Sequence, residues 1–347
     1  MFSIVTTQKN LERLYSENSV WGNIVAQTKC FYVKLESDWW EEEENALLEL
    51  SNSQAYIKNA NDLFVDIEKH PEVIADYPTS VFILDIDEGK ARQLQQKYGV
   101  VVQSFEHLDD AILTAVHRPP IYTEENETGV NWSDVFSGVR DLPTNAIIIN
   151  DRNLFTNDQV TKDAAGIIVS KRLNGVDNVL GILEQALPQT LDVPFHVLVV
   201  CDKEGIERHL SVKNVITYLN ALKKQISRPY NIVIELLAIT NDSMLYKDTH
   251  NRRILTNYGI MTFDHKLNAF EKGKSLASQR ITVEKFFSHG DLSSASPFVK
   301  EHNKILKDMR EYLDFVKSTP RLTEHEFAKN GRAGMKFSET EHRLIIQ

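Results

Sequence analysis

The sequence predicts an α/β fold in which helices flank a sheet, with a smaller α/β first half. Continuous apolar runs of the kind found in strands buried on both faces support this prediction: Val81–Ile86, Phe195–Val200 and Ile232–Ile239. Stretches with the apolar spacing of amphipathic helices lie between such runs. Because strands alternate with helices over most of the chain, the sheet is expected to be covered by helices.

The first 75 or so residues are expected to form helices and loops. Trp39 and Trp40 precede an acidic run, Glu41 to Glu44, which suits the first turn of a solvated helix. Acidic side chains stabilise a helix amino terminus because they complement the helix dipole. An acidic docking patch for a partner protein is the alternative interpretation of this run.

A β-α-β unit is predicted next. Residues 88–98 have a helical pattern that Gly99 closes, and residues 100–102 restart a strand. Asp85 and Asp87 flank the end of the preceding strand, as paired aspartates do in some phosphotransferases. Aspartate is a preferred N-cap residue, so we expect Asp87 to cap the helix and Asp85 to end the strand.

The second half repeats the alternation. Strands are predicted at Ala146–Ile149, Phe195–Val200, Ile232–Ile239, Arg253–Thr256 and Ile260–Phe263, and helices over residues 176–187 and 211–226. Ser211 is a candidate N-cap, and Tyr258-Gly259 a turn between two strands. Pro297 opens a long amphipathic helix, and the charged segment from Thr319 is expected to be a tail or a docking arm.

Three segments are predicted from this pattern. Residues 1–140 form a mixed helical and α/β domain with an acidic surface, residues 141–290 a second α/β domain, and residues 291–347 the long helix and tail. The stretch from residue 117 to 131 contains two prolines, acids and a glycine, which is typical of a loop or boundary.

Composition excludes several classes of protein. The formal net charge of −10 argues against binding nucleic acid over the whole surface. No run is long and apolar enough for a membrane span, and Cys30 and Cys201 are too few for a disulfide framework, so we expect a soluble cytoplasmic protein without a membrane partner. No metal-ligand spacing or cofactor fingerprint occurs, so neither a metal nor a cofactor is expected. Gly273-Lys274-Ser275 resembles the end of a phosphate-binding loop. Asn268 stands where the first glycine of such a loop would be, so an ATPase is not expected.

Basic residues are concentrated in one region of this acidic chain. Residues 245–285 contain eight lysines and arginines against four acids, a local balance of +4. Arg252, Arg253 and Lys266 lie in this basic island. Clustered cations of this kind are what binding to phosphate groups requires.

A motif inside the basic island resembles that of a known superfamily. His250, Arg252 and Asn257 have the spacing H-x-R-x(4)-N, which is similar to the H-x-K-x(4)-D signature of phospholipase-D-like proteins. A related pattern, Asn150 to Asn157, occurs 100 residues earlier with asparagine at the histidine position and Arg152 at the lysine position. The resemblance covers at most residues 145–287, and it implies a divergent phospholipase-D-like domain in the second half.

The resemblance implies roles for these residues. Histidine attacks phosphorus or protonates the leaving group in that superfamily, so His250 is the candidate catalytic residue. Arg252 stands where the lysine holds the phosphate, and arginine can bind phosphate in a bidentate way. Arg253, Lys266 and Arg152 are further candidates for phosphate binding. Asn257 replaces the aspartate, and the downstream glycine-serine pair is missing, so little or no hydrolysis is expected.

The sequence therefore leaves three functional hypotheses open. The leading hypothesis is a component of a multi-protein prokaryotic system, of the antiviral-defence type, that binds a phosphate-bearing ligand, nucleic acid or a protein. The second is a metal-independent phosphodiesterase or nuclease whose site is completed by His250 from two copies in a homodimer. The third is a non-catalytic structural adaptor. A plainer interpretation is that His250 and Arg252 are a surface hydrogen-bonding pair beside a hairpin turn.

Overall fold

A computed structural model describes residues 1–36, 46–52, 55–112, 114–115, 119–165, 168–245, 251–288, 297–319 and 323–346. The described chain contains a five-stranded and a nine-stranded sheet, both flanked by helices, which confirms the predicted α/β class. The acidic run that begins after Trp40 and the catalytic candidate His250 both lie outside the described residues.

The first domain is a parallel sheet with helices between its strands. Its strands are β1 Ser3–Thr7, β2 Cys30–Lys34, β3 Tyr56–Asn59, β4 Ser80–Leu84 and β5 Val102–Ser104. Its helices are α1 Gln8–Ser16, α2 Val20–Gln27, α3 Ala46–Asn52, α4 Asn61–Lys69 and α5 Glu88–Tyr98. The spatial order of the strands is β3-β2-β1-β4-β5, so the chain builds outward from β1 in one direction and then from β4 in the other.

The expectation of helices and loops for the first 75 residues is wrong, because three of these five parallel strands lie there. The strand sequences mix polar and apolar residues over only four or five positions, as in Ser3–Thr7. Such short strands gain their stability from neighbours that lie far away in the chain, and β1 pairs with β4 through Ile4 and Val81.

The predicted β-α-β unit is confirmed. Helix α5 has the expected bounds, and its C-cap Gly99 has a φ of 63°, a left-handed conformation that glycine adopts without a steric penalty. The Asp87 side chain accepts a 2.9 Å hydrogen bond from the Lys90 backbone N–H, so this aspartate is the N-cap. Asp85 follows β4 and accepts a hydrogen bond from the Asn10 side chain.

The second domain is larger and holds the remaining described strands and α-helices. Its strands are β6 Thr114–Ala115, β7 Ile121–Thr123, β8 Ala146–Asn150, β9 Gln159–Lys162, β10 Ile168–Arg172, β11 Phe195–Asp202, β12 Ile232–Ile239, β13 Arg252–Leu255, β14 Gly259–Phe263, β15 Phe270–Glu271, β16 Lys274–Ser275, β17 Gln279–Lys285, β18 Phe287–Ser288, β19 His325–Lys329 and β20 Arg332–Met335. Its helices are α6 Trp132–Phe136, α7 Asn174–Ala186, α8 Lys203–Glu207, α9 Val212–Ile226 and α10 Pro297–Ser318.

Nine of these strands form one mixed sheet in the order β20-β19-β12-β11-β8-β13-β14-β17-β7. The central strands β8, β11 and β12 are parallel, and the strands on both sides of them join in antiparallel fashion. Short two-stranded ladders pair β9 with β10, β15 with β16, and β6 with β18. Lys272 and Gly273 form the turn between β15 and β16 with φ values of 51° and 76°, so Gly273-Lys274-Ser275 belongs to a hairpin.

The predicted segment boundaries need two corrections. Strand β7, from the 1–140 segment, pairs with β17 of the large sheet, so the second domain begins before residue 141. The charged segment after residue 319 was expected to be a tail or arm, but its β19 pairs with the whole second half of β12. The charged residues of this segment suggested that it is exposed to solvent. Phe327 and Phe337 are nevertheless fully buried, because they pack beneath α10.

Both faces of the large sheet are covered. Ile147, Ile149 and their neighbours pack against α7 and α9 in a core that is continuous with the core of the first domain. Residues of the opposite face, including Ile148 and Leu255, pack against α10. The Ser211 capping box at the start of α9 satisfies backbone N–H groups as its sequence predicts.

The turn between β13 and β14 joins the two domains. The Asn257 side chain donates to the carbonyl of Gly99 at 3.0 Å and accepts from Thr144 Oγ1 at 3.0 Å. The Asn145 amide donates in turn to the carbonyls of Ala75 and Tyr98. These buried amides satisfy backbone groups from both domains, so the domains share one polar joint. None of the described helices has the length and hydropathy needed to cross a bilayer.

Candidate functional site

The carboxyl ends of the central strands β8 and β11 carry charged side chains. Asp151 and Arg152 follow β8, and Asp202 is the last residue of β11. Strand β13 runs antiparallel to β8 with Arg253 opposite Asn150, so Arg252 at its start reaches the same edge of the sheet. Crevices outside the carboxyl ends of parallel strands are where ligands bind in open α/β sheets. We call Asp151, Arg152, Asp202, Arg252 and Lys266 the edge cluster.

Asp151 lies at the centre of the edge cluster and is fully buried. One carboxylate oxygen accepts a 2.9 Å hydrogen bond from the Asn153 backbone N–H, and the other accepts a 2.8 Å bond from the Leu267 N–H. The Arg252 guanidinium lies 3.8 Å from this carboxylate through its Nε. Asp151 therefore fixes the loop that follows β14 and the arginine that begins β13.

Burial and neighbouring positive charges shift the pKa of Asp151 in opposite directions. Burial raises the pKa of the Asp151 carboxyl above its usual value, because the interior disfavours the charged form. The two backbone N–H donors and the positive charges of Arg252 and Lys266 oppose that rise in pKa. Lys266 directly precedes Leu267, whose N–H bonds to this carboxylate, so its backbone lies at the same edge as Arg252.

A second pair of charges continues the edge cluster toward β11. Arg152 Nε lies 3.9 Å from a carboxylate oxygen of Asp202. The Asp202 side chain also accepts a hydrogen bond from the Glu204 backbone N–H and caps α8. Burial raises the pKa of Asp202, and the Arg152 guanidinium opposes this rise. The edge thus carries three cationic side chains around two buried acids.

Arg252 and Arg253 do not form one phosphate site, because consecutive residues of a strand point to opposite faces of the sheet. Arg252 lies on the face of Ile254, and one of its terminal nitrogens donates to the Asp264 carbonyl at 3.1 Å. Arg253 lies on the face of α10, where its guanidinium forms an ion pair with Glu301. The expectation that Arg253 joins Arg252 and Lys266 is therefore corrected.

The resemblance motif is spread along β13. His250 lies outside the described residues, so its catalytic role, and with it the phosphodiesterase hypothesis, stays a prediction. The next residue, Asn251, accepts a hydrogen bond through its carbonyl from the Asn150 side chain at the end of β8. Asn257 is fully buried beyond the other end of β13, where it joins the two domains. Its contacts give it a structural role, away from the edge cluster.

The earlier copy of the motif has a different local structure. Residues 152–157 form successive turns after β8, whereas residues 252–255 form a strand. Both segments nevertheless meet at one edge, because Arg152 follows β8 and Arg252 begins the strand beside it. The repeated pattern thus places two arginines at the same edge without repeating a structural unit.

Sequence reasoning missed Asp151 and Asp202 as members of the site. Each is an acid at the end of a continuous apolar strand, and that pattern is visible in the sequence. The partners of Asp151 could not be read from it, since Leu267 lies 116 residues further along the chain. No group of three or more histidine, cysteine or acidic side chains suited to a metal ion occurs within the described ranges. Cys30 and Cys201 are buried free thiols.

No protein-family model matches the chain, and a search of curated proteins finds no significant match.

Proposed function

We propose that the second domain is a divergent phospholipase-D-like module that binds a phosphate-bearing ligand, with nucleic acid the foremost candidate, and hydrolyses it little or not at all. The observation that supports this most is the ion pair of Arg252 with buried Asp151 at the carboxyl edge of β8, where the backbone N–H of Leu267, next to Lys266, bonds to the same carboxylate. Arg152 adds a third cation to the same edge. Guanidinium and ammonium groups are the side chains that bind phosphate oxygens in proteins.

The buried acids support binding by holding the cations in place. Asp151 is itself fixed by two backbone N–H groups, and Arg252 is held beside it by their ion pair and by its hydrogen bond to the Asp264 carbonyl. The Arg252 side chain stays 23% exposed, so part of it is accessible to a ligand. A positioned cation binds an anion better than a mobile one because less side-chain entropy is lost on binding.

The contacts of Asn257 support weak or no hydrolysis. Asn257, at the position of the motif aspartate, is bonded to Gly99, Thr144 and Asn145. Its side chain is engaged in the interdomain joint and is not available to orient a histidine at the other end of β13. In the cell, we place such a binding module in the cytoplasm, within a multi-protein prokaryotic system of the defence type.

Fluorescence anisotropy of labelled single-stranded and duplex DNA and RNA, measured across a salt series, tests the proposal. The tested variants are Arg252→Gln and Lys266→Gln, which remove charge but keep polar side chains. We expect each to weaken binding and to reduce the slope of log affinity against log salt by about 1, because each removes one phosphate contact.

Arg253→Gln is the matched control. It removes the same charge from the neighbouring residue, but on the face covered by α10, where the guanidinium pairs with Glu301. Binding in this variant should keep the salt dependence of the unmodified protein. The proposal is overturned if no salt-sensitive binding is found, or if Arg253→Gln weakens binding as much as Arg252→Gln does. Circular dichroism of each variant confirms that it is folded.

A further inference from the structure

The first domain has its own cavity, outside the edge cluster and independent of the function proposed above. The cavity has a volume of about 230 Å³ and lies at the carboxyl ends of the parallel strands. Thr7 ends β1, Lys34 ends β2, and Asp85 follows β4, and all three line it. Helices α4 and α5 supply the walls through residues such as Phe64 and Leu94.

Its position is where the topology favours ligand binding. Strand order changes direction between β1 and β4, since β1 leads outward to β2 and β3, while β4 leads outward to β5 on the other side. Helices that diverge at such a point leave a crevice at the carboxyl ends of the strands, and ligands of doubly wound sheets bind there.

The lining of the cavity is apolar inside and charged at the rim. Its apolar side chains are Phe64, Ile67, Pro71, Leu84, Ile86 and Leu94. Its charged side chains are Lys34, Glu68, Asp85 and Lys90, two of each sign, so their formal charges cancel. Pockets with an apolar interior and a few polar groups are typical of small-molecule sites.

Two charged side chains of the rim, one acidic and one basic, contact neighbouring side chains. The Asp85 carboxylate accepts a 2.9 Å hydrogen bond from the side chain of Asn10, which is only 2% exposed. The Lys34 ammonium lies over the Phe64 ring, 5.6 Å from its centroid. Both side chains are exposed to solvent, and these contacts restrict their motion, which lowers the entropy lost on binding.

The same features argue against a nucleotide. Helix α1 follows β1 directly, and its buried residues Gln8 and Asn10 occupy the place of the glycine-rich turn that cradles a pyrophosphate. No glycine occurs before Gly22. A rim whose formal charges cancel does not compensate the negative charge of a phosphate group.

A ligand with one positive group, one negative group and an apolar body matches this lining. An ammonium group would bind the Asp85 carboxylate, a carboxylate would bind the Lys34 ammonium, and a branched aliphatic side chain would fill the apolar interior. We propose that this cavity binds a free α-amino acid with a branched aliphatic side chain, for which L-leucine is the probe.

Isothermal titration calorimetry on the full chain tests the proposal with three compounds. L-leucine carries both charged groups, 4-methylpentanoate lacks the ammonium group, and 3-methylbutylamine lacks the carboxylate. We expect L-leucine to bind saturably and each analogue to bind at least about tenfold more weakly, because each loses one ionic contact.

Two variants assign the contacts. Asp85→Asn should weaken L-leucine binding about tenfold and leave 4-methylpentanoate unchanged, because that compound has no ammonium group to lose its partner. Lys34→Gln should weaken L-leucine binding and leave 3-methylbutylamine unchanged. Lys58→Gln is the matched control, since Lys58 also lies over an aromatic ring, that of Tyr32, but outside the cavity.

Four results would overturn the proposal. They are the lack of saturable L-leucine binding, equal affinity for the analogues, tighter binding of AMP that Lys34→Gln removes, and binding of N-acetyl-leucine amide as tight as that of L-leucine. The last result would identify the occupant as a side chain of a partner protein. Unchanged circular dichroism of each variant separates loss of binding from loss of folding.

Discussion

The hydroxyl of Tyr258 donates a 2.6 Å hydrogen bond to the backbone carbonyl of Ser80 at the start of β4. The same hydroxyl accepts a 2.8 Å bond from the Val101 backbone N–H, so one side chain of the second domain bridges two segments of the first domain. Tyr258 is fully buried, and its ring packs edge-on against Phe286. A single turn thus carries apolar packing and polar contacts between the domains.

Tyr258→Phe should destabilise the protein. The substitution keeps the ring but removes the hydroxyl, which leaves a buried carbonyl and a buried N–H without a partner. We expect the free energy of unfolding to fall by about 1–3 kcal/mol. Urea denaturation followed by fluorescence measures it, and Tyr122→Phe is the control because Tyr122 is 66% exposed. Equal midpoints for the two variants would contradict a role for the hydroxyl in the joint.

Asn257→Asp introduces the aspartate that the phospholipase-D-like signature has at this position, and should destabilise the protein without creating hydrolysis. The amide group of Asn257 donates to the Gly99 carbonyl, and a carboxylate there would place a buried negative charge against an acceptor. We expect a loss of about 3 kcal/mol or more in the free energy of unfolding. Urea denaturation and a phosphodiesterase assay at the same protein concentration measure both outcomes. A stable variant that gains activity would show that Asn257 belongs to a catalytic site.

Phe327→Ala tests whether the segment after residue 319 is part of the fold. Phe327 is fully buried on β19, beneath α10 and beside Phe337. Its truncation should cost about 3–5 kcal/mol, because it removes buried apolar surface and leaves a cavity. Ile346→Ala, at a side chain that is 55% exposed, is the control and should change the urea midpoint little. Similar midpoints for both variants would indicate a dispensable tail.

His302 should make the protein sensitive to acid. Burial lowers the pKa of His302 to about 3, and its Nε2 lies 2.8 Å from the Thr256 carbonyl. The unfolded chain binds the proton with a pKa of about 6.5, so the contribution of His302 to stability is complete above that pH and declines as pH falls toward 3. The expected slope is about 1.4 kcal/mol per pH unit.

Comparison with His302→Gln isolates this slope, because other groups titrate over the same range. Burial raises the pKa of Asp158 to about 7, so its contribution to stability is greatest below about pH 4 and declines as pH rises toward 7, opposite to the histidine. Urea midpoints at several pH values between 7 and 5 should fall less steeply in the variant. Parallel pH profiles would show that His302 is not held neutral in the folded state.

Local signals made much of the fold predictable. Helix α5 has a polar cap at Asp87 and a glycine at Gly99, and its bounds are those expected. Strand β12 is a continuous apolar run and also has the expected bounds. Both patterns depend on residues that are neighbours in the chain, so they can be read without knowledge of the tertiary structure.

Features that depend on distant partners were not predictable in the same way. Strand β19 contains charged residues, and its place in the sheet comes from pairing with β12, which lies almost a hundred residues earlier. The joint made by Asn257 depends on Gly99, 158 residues away. The separation of Arg252 from Arg253 could have been deduced, since a strand turns consecutive side chains to opposite faces.

The path of β13 limits how this protein can be divided. The strand begins at the edge cluster with Arg252 and leads to the turn that inserts Asn257 and Tyr258 into the first domain. Expression of either half alone would leave the backbone groups of Ser80, Gly99 and Val101, or the side chains that bond to them, without their partners. Experiments on the edge cluster therefore require both domains in one chain, although the two sheets are separate.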